Sequence, residues 1–435
     1  MAAYVTIFVS LKHSLTHSNT NTNTGSIQNW IEPRCIVTAV QGQNITIDPD
    51  CWKDLIARHG GQNPGIPTFV ENVVEPPGPN EFVATPDYIF YRPPSSSPYE
   101  SPTDAYVPTS SSIFNAVNLT NHTFSNLVFR HASWRVPSMK GGYVPTQSLV
   151  TNRFGEPEGA IQIDHSHQVT FQNCVFENIG TAYALSIGGA SQDITIRGNT
   201  FHDLSGGAIK IGNVLGTRAL SNLTSDWDTR YVVENNRVKS SSVEWRGGAA
   251  FFAGYVANTN ITHNTIENTG YTGISLGWGW GTHVFGPQTF ARNNRIDSNR
   301  LLGVMSSLND GGCTYTLGPQ PNSFVTNNYC RSDNAPVVGC FYHDNGSRYF
   351  TTTGNVCENS PAPCVYLQGC CNSPAYDIAV SNLYCKSTAP VQNGCAAENC
   401  TIDSSTLYIL NSSQEWPPSA QSIVDSSGAT TTILL

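Results

Sequence analysis

Reactive and ligand-binding side chains concentrate in three stretches: Gly277-Trp-Gly-Trp-Gly, Asn309-Asp-Gly-Gly-Cys-Thr-Tyr-Thr and Tyr342-His-Asp-Asn-Gly-Ser. Glycines flank Trp278 and Trp280, which suits a loop of unusual backbone better than a strand. Such a loop forms either a wall for a ligand or a hydrophobic cap over the fold. The triplets after Cys313, Cys340 and Cys364 read Thr-Tyr-Thr, Phe-Tyr-His and Val-Tyr-Leu, so Tyr315, Tyr342 and Tyr366 recur in one context. Flat aromatic faces pack against the apolar face of a pyranose ring, while Asp and Asn bond its hydroxyls. The same tyrosines, stacked as a ladder, would equally stiffen a sheet. Asp310, ahead of Gly311-Gly312, is by type also a turn former.

These stretches belong to a repeat. Residues 264–368 repeat one unit: an Asn, a short apolar beat, a polar turn, a small residue and a second beat of β-formers. Aligned on Asn126, Asn173, Asn199, Asn236, Asn264, Asn294, Asn328, Asn355 and Asn382, the gaps are 47, 26, 37, 28, 30, 34, 27 and 27 residues. A constant minimum with irregular excess indicates a fixed coil carrying loop insertions. Apolar residues alternate, as in VTFQNCVF and ITIRGNTF, which is the strand period. One unit cannot bury its own apolar side; stacked at about 4.8 Å, the units can. The expectation is an all-β, right-handed parallel β-helix over 113–411, with a β-rich subdomain over 27–112. Residues 1–26 read as a disordered leader and 412–435 as a cap or tail. The recurrent Asn fits the coil corners, because Asn tolerates the left-handed region and stacks into a polar ladder.

The second beats align as Ala208-Ile-Lys-Ile over Ala249-Ala-Phe-Phe and Gly273-Ile-Ser-Leu, then over the three Cys-led triplets. Alternation sends Lys210, Phe251, Ser275, Tyr315, Tyr342 and Tyr366 to one face. Lys210 belongs in water, so that face is expected to be outward. Asp344 and Gln368, two residues after their tyrosines, point the same way. Cys313, Cys340 and Cys364 stack, as do Cys330 and Cys357. Adjacent members lie near enough for a disulfide, or form a packing ladder of thiols. Cys35 and Cys51 are a further candidate bridge.

Charged residues make up 12% of the 435, the formal charge is −9, and no basic run exists. Nucleic acid is therefore not an expected partner. Thirteen cysteines point to an oxidising compartment. Sequons at Asn44, Asn118, Asn121, Asn222, Asn260, Asn345, Asn399 and Asn411 agree with secretion. No membrane span is expected. His165 and His167 lack a third ligand at convincing spacing, so neither metal nor cofactor is expected.

The run GYTGISLGWGWG, LNDGGCTYTLGPQP, FYHDNGS, together with SWRVPSMKGGYVPTQS and EFVATPDYIFYRP, resembles right-handed parallel β-helix proteins of the pectate-lyase-like superfamily that include glycoside hydrolase family 141. The resemblance covers roughly residues 27–368. It implies a monomeric carbohydrate-active enzyme of α-L-fucosidase or xylanase type, acting on a polysaccharide or glycoprotein glycan. It also implies an Asp catalytic pair, matched by Asp310 and Asp344. Trp278, Trp280, Tyr315, Tyr342, His343 and Lys210 are the expected substrate-binding set. Both Asp lie 16 residues after their coil Asn. The Cys alignment instead separates them by roughly 23 Å along an extended chain, unless the chain folds back at Gly311-Gly312. A polysaccharide lyase using Lys210 or Arg348, or a non-catalytic glycan-binding β-helix, are the other readings of such a scaffold.

Overall fold

The computed structural model describes residues 8–10, 30–42, 44–58, 69–71, 78–79, 81–84, 89–93, 106–280, 289–333, 338–369, 373–387, 389–395 and 399–430. The chain forms two compact units, residues 1–109 with 134–155, and residues 110–133 with 156–435. The excursion of 134–155 into the first unit has no counterpart in the sequence expectation.

In the first unit, Arg34–Gln41 pairs with Asn44–Ile47 as a hairpin, and Phe8–Ser10 pairs antiparallel to both Arg34–Gln41 and Phe69–Glu71. Part of the expected leader is therefore a strand; most of it lies outside the described residues. The helix Pro49–Arg58 begins where the Asp48 carboxylate accepts the N–H groups of Asp50 and Cys51, leaving fewer unpaired donors in the first turn. Cys35 and Cys51 are bonded, at a Cα separation of 5.7 Å.

The second unit is a right-handed parallel β-helix. Three 10-stranded sheets run the length of the coil stack. The first extends from Phe114–Val117 to Val391–Asn393, the second from Thr120–Ser125 to Thr401–Ile402, and the third from Val128–Arg130 to Leu407–Ile409. Apolar positions of successive coils meet in the interior. Phe124 stacks on Phe171 at 4.6 Å and Phe176 on Phe201 at 4.5 Å, close to the strand spacing itself.

The corner before the third sheet divides two tasks between consecutive residues. Gly198, Asn235, His263, Ser298, Asn327 and Gly354 take left-handed backbone. The residue after each is a fully buried Asn: Asn199, Asn236, Asn264, Asn299, Asn328 and Asn355. Each Asn Oδ1 from Asn236 onward accepts the backbone N–H and the side-chain amide of the Asn one coil earlier, at 2.9–3.1 Å. Asn126, Asn173 and Asn382 occupy the left-handed position instead. Asn294, expected in the ladder, is replaced there by Asn299; Asn294 bonds Gln320, Ser323 and Thr259 at another corner.

The first sheet also departs from the expected register. Ala208 and Ile209 both donate to the Ala250 carbonyl, which slips the pairing by one. Ile209 then meets Phe251, and Lys210 meets Phe252. The interior row over Ile209 and Ile274 thereby receives a full-sized side chain, where Ala250 would leave a void. Phe252, not Phe251, shares the outward row with Lys210, Ser275 and the three tyrosines. After the last coil, the helix Pro418–Ser426 lays Ala420 and Val424 on Tyr329, Val356 and Tyr384. Among the described residues no helix is long and apolar enough to cross a membrane.

Candidate active site

Tyr315, Tyr342 and Tyr366 share one outward row, but they are not an open platform. Tyr315 and Tyr342 are each 1% exposed and pack with Leu317, Trp280 and Val338. Tyr342 meets Tyr315 edge to face at 5.2 Å and 86°, and Tyr366 at 5.1 Å and 84°. Flat stacking of one sugar ring per tyrosine is therefore excluded for the two buried members. The hydroxyls are engaged instead. Tyr315 donates to Asp344 Oδ2, and Tyr342 donates to Asp310 Oδ1 at 3.2 Å.

These bonds bring the two carboxylates into one cluster. Asp310 has left-handed backbone, with φ of 61°, and its carbonyl accepts the Tyr271 hydroxyl at 2.9 Å. The chain thus turns at Asp310 itself, and the separation expected for an extended strand does not arise. Asp344 follows the first-sheet strand Phe341–His343, and its N–H donates to Thr316 O.

The two acids differ in environment. Burial, and then the negative charge of Asp344, push Asp310 up to about 7; the Tyr342 hydrogen bond opposes the shift. Asp310 nevertheless keeps a partly exposed edge. Asp344 is 4% exposed. Burial raises it too, opposed first by the Tyr315 hydroxyl and then by the Asn345 N–H, Tyr342 and Gln368. Its Oδ1 is buried without a partner at good hydrogen-bond geometry. Burial raises both acids, but Asp344 accepts more hydrogen bonds that favour its charged form and its charge raises Asp310, an asymmetry of the kind acid–base chemistry uses.

Gln368 was not among the expected site residues, yet its amide donates to the Tyr342 hydroxyl at 3.2 Å. Its position, two residues after Tyr366 as Asp344 follows Tyr342, was the available signal. Tyr271 carried none, since its contact depends on the turn at Asp310.

Trp278 and Trp280 sit edge to face at 5.0 Å, both partly exposed. Trp280 adjoins the tyrosine cluster, while Trp278 reaches Phe252 at 5.7 Å. Gly277 precedes them with φ of 100°, and a Cβ there would strike the Leu317 carbonyl. Only glycine fits that approach.

Two expected site residues are placed otherwise. His343 lies on the interior row, 1% exposed, between the hydroxyls of Thr316 and Thr352. Strand alternation sends it inward because Tyr342 faces out, and burial holds its imidazole down to about 3. Lys210 is outward by register but 3% exposed, not solvated. It pairs with Glu156 at 2.6 Å and donates to Gly212 O. A buried ammonium needs such partners.

The cysteine rows are cross-linked across the coil rather than along the stack. Cys313 bonds Cys330, and Cys340 bonds Cys357. Among the described residues no group of three or more His, Cys, Asp or Glu is placed to hold a metal ion.

A family model described as a right-handed β-helix region matches residues 114–286. No curated protein matches the chain in sequence. Among solved structures, one described as a glycoside hydrolase superposes with a TM-score of 0.70 at 20% identity, covering 97% of this chain and 70% of that one. A PL6-family polysaccharide lyase from Pseudopedobacter saltans gives 0.31 at 9% identity, over 74% of this chain and 92% of its own. The catalytic domain of a GH87 α-1,3-glucanase in complex with nigerose gives 0.31 at 13% identity, over 70% and 59%. The last two superpose too loosely to carry weight. At 20% identity the first is a likeness of fold, and it places almost the whole chain in an all-β architecture built on a right-handed parallel β-helix.

Proposed function

We propose that this protein is a secreted glycoside hydrolase, with Asp310 as general acid and Asp344 as general base or nucleophile. The observation that carries the reading is the Asp pair itself. Two buried carboxyls share a tyrosine cluster, one is held near 7, and a tryptophan pair stands beside them. Asp310 would protonate the glycosidic oxygen as the bond breaks. Asp344 would act on the anomeric carbon, directly or through water. Tyr315 holds the Asp344 carboxylate, and Gln368 orients the Tyr342 hydroxyl that touches Asp310. Trp278 and Trp280 supply apolar faces for sugar rings. The family 141 resemblance supports α-L-fucosidic or xylan-type linkages as substrates, and the disulfides support an oxidising compartment.

Incubation with fucosylated and xylan-type glycans tests the reaction class. Release of reducing sugar with no new ultraviolet absorbance is expected. An unsaturated, absorbing product would instead indicate elimination, and retention of glycan without turnover would indicate a binding protein.

A further inference from the structure

The search for a chemical feature outside the Asp pair leads to two thiols in the coil interior. In two successive coils, a cysteine just before the first-sheet strand is bonded to one on the third-sheet strand, 17 residues on in each case. The Cα separations are 6.0 and 6.3 Å. The next coil repeats the placement. Cys364 precedes Val365–Leu367 as Cys313 precedes Thr314–Thr316 and Cys340 precedes Phe341–His343. The carbonyls of Cys313, Cys340 and Cys364 accept from Ile274, Thr314 and Phe341, so the three backbones occupy one position in consecutive coils. On the third sheet, Cys385 lies in register beside Cys357, which lies beside Cys330. Cys364 and Cys385 are both fully buried and are free thiols in this structure. The two thiols are close enough to interact electrostatically, and Cys364 Sγ lies 3.3 Å from Ser387 Oγ. Cys174, by contrast, has backbone carbonyls of Phe124 and Gln172 for neighbours.

We propose that Cys364 and Cys385 are oxidised to a third cross-coil disulfide. The stacked coils place each of the two cysteines over one that is bonded, so the pair repeats the placement of the two closed rungs. The oxidant is a disulfide donor of the oxidising compartment. One thiol loses its proton and attacks the donor disulfide, giving a mixed disulfide and one donor thiolate. The second thiol, deprotonated in turn, displaces the remaining donor sulfur. Two thiols lose two protons and two electrons, and the donor disulfide becomes two thiols. Burial and the neighbouring Cys364 raise the Cys385 thiol strongly, so the exchange takes place before the coil closes over the pair. The rung fixes the strand that carries Tyr366 and leads to Gln368. The three cross-linked coils are then those that carry the tyrosine cluster.

The test uses the full chain produced in an oxidising compartment and unfolded without reductant in excess iodoacetamide, then digested for mass analysis. The Cys313–Cys330 and Cys340–Cys357 linked peptides show that oxidation was complete. The expected result is a Cys364–Cys385 linked peptide, two hydrogen masses lighter than its parts, with Cys174 alkylated. Recovery of Cys364 and Cys385 both alkylated, while the other two rungs are intact, would overturn the proposal. So would linkage of either residue to a different cysteine.

Discussion

In the proposed reaction Asp310 and Asp344 hold the chemistry; burial raises both, and their hydroxyl partners oppose the shift. The proposed reaction needs Asp310 protonated and Asp344 ionised, so turnover should follow a bell in pH whose basic limb falls near the value of about 7 for Asp310. Tyr342→Phe removes a bond that favours ionised Asp310 and one of the lesser supports of ionised Asp344, so both limbs should move up. Tyr315→Phe removes the main support of ionised Asp344, and the acid limb should move up, narrowing the bell. A kcat/KM profile of the two variants separates these outcomes; a basic limb displaced as far as the acid limb in Tyr315→Phe would refute the assignment. The same acid affects stability. Its folded pKa lies above the unfolded one, so its favourable contribution is complete below about 4 and is lost as pH rises through about 7. Asp310→Asn should therefore stabilise the fold at pH 8, by on the order of 2 kcal/mol after solvent screening is allowed for. At pH 4 it should change stability little, as denaturant melts at both pH values would show. The two acids are singled out through the family resemblance. Their tyrosine partners could not be named from the sequence, because the contacts depend on a turn at Asp310 that extended-strand geometry does not contain.

At the scale of the coil, the polar ladder and the tryptophan turn make the strongest demands. Asn299 accepts two hydrogens from Asn264 and donates to Ile261 O, Asp297 O and Asn328 Oδ1. Asn299→Ala would strand several buried groups and should cost about 3 kcal/mol, read as a lower urea midpoint. Gly277→Ala would force the backbone away from Leu317 O and misplace Trp278 and Trp280. Its expected signature is a raised KM, with a far-ultraviolet spectrum unchanged. Strand alternation and the Asn recurrence were legible in the sequence because both repeat with the coil. The finer register was not. Ala250 and Phe251 are both apolar, and only the volume needed between Ile209 and Ile274 selects Phe251 for the interior. Likewise Asn294 and Asn299 are both plausible ladder members until three-dimensional stacking chooses Asn299.

Across the whole molecule, the long coil stack is what brings distant segments into one cluster. Tyr271, Asp310, Tyr342 and Gln368 come from successive turns of the solenoid, and no local sequence pattern joins them. The stack itself was readable from its repeat length. The inclusion of residues 134–155 in the first unit was not, since nothing in their composition marks a change of partner. Likeness of fold alone leaves activity open, so the catalytic assignment rests on the Asp pair. The most direct measurement is reducing-sugar release from fucosylated and xylan-type glycans by the wild type, Asp310→Asn and Asp344→Asn. Each substitution should lower kcat by about 100- to 10,000-fold while folding is retained. Full activity in both variants would contradict the account.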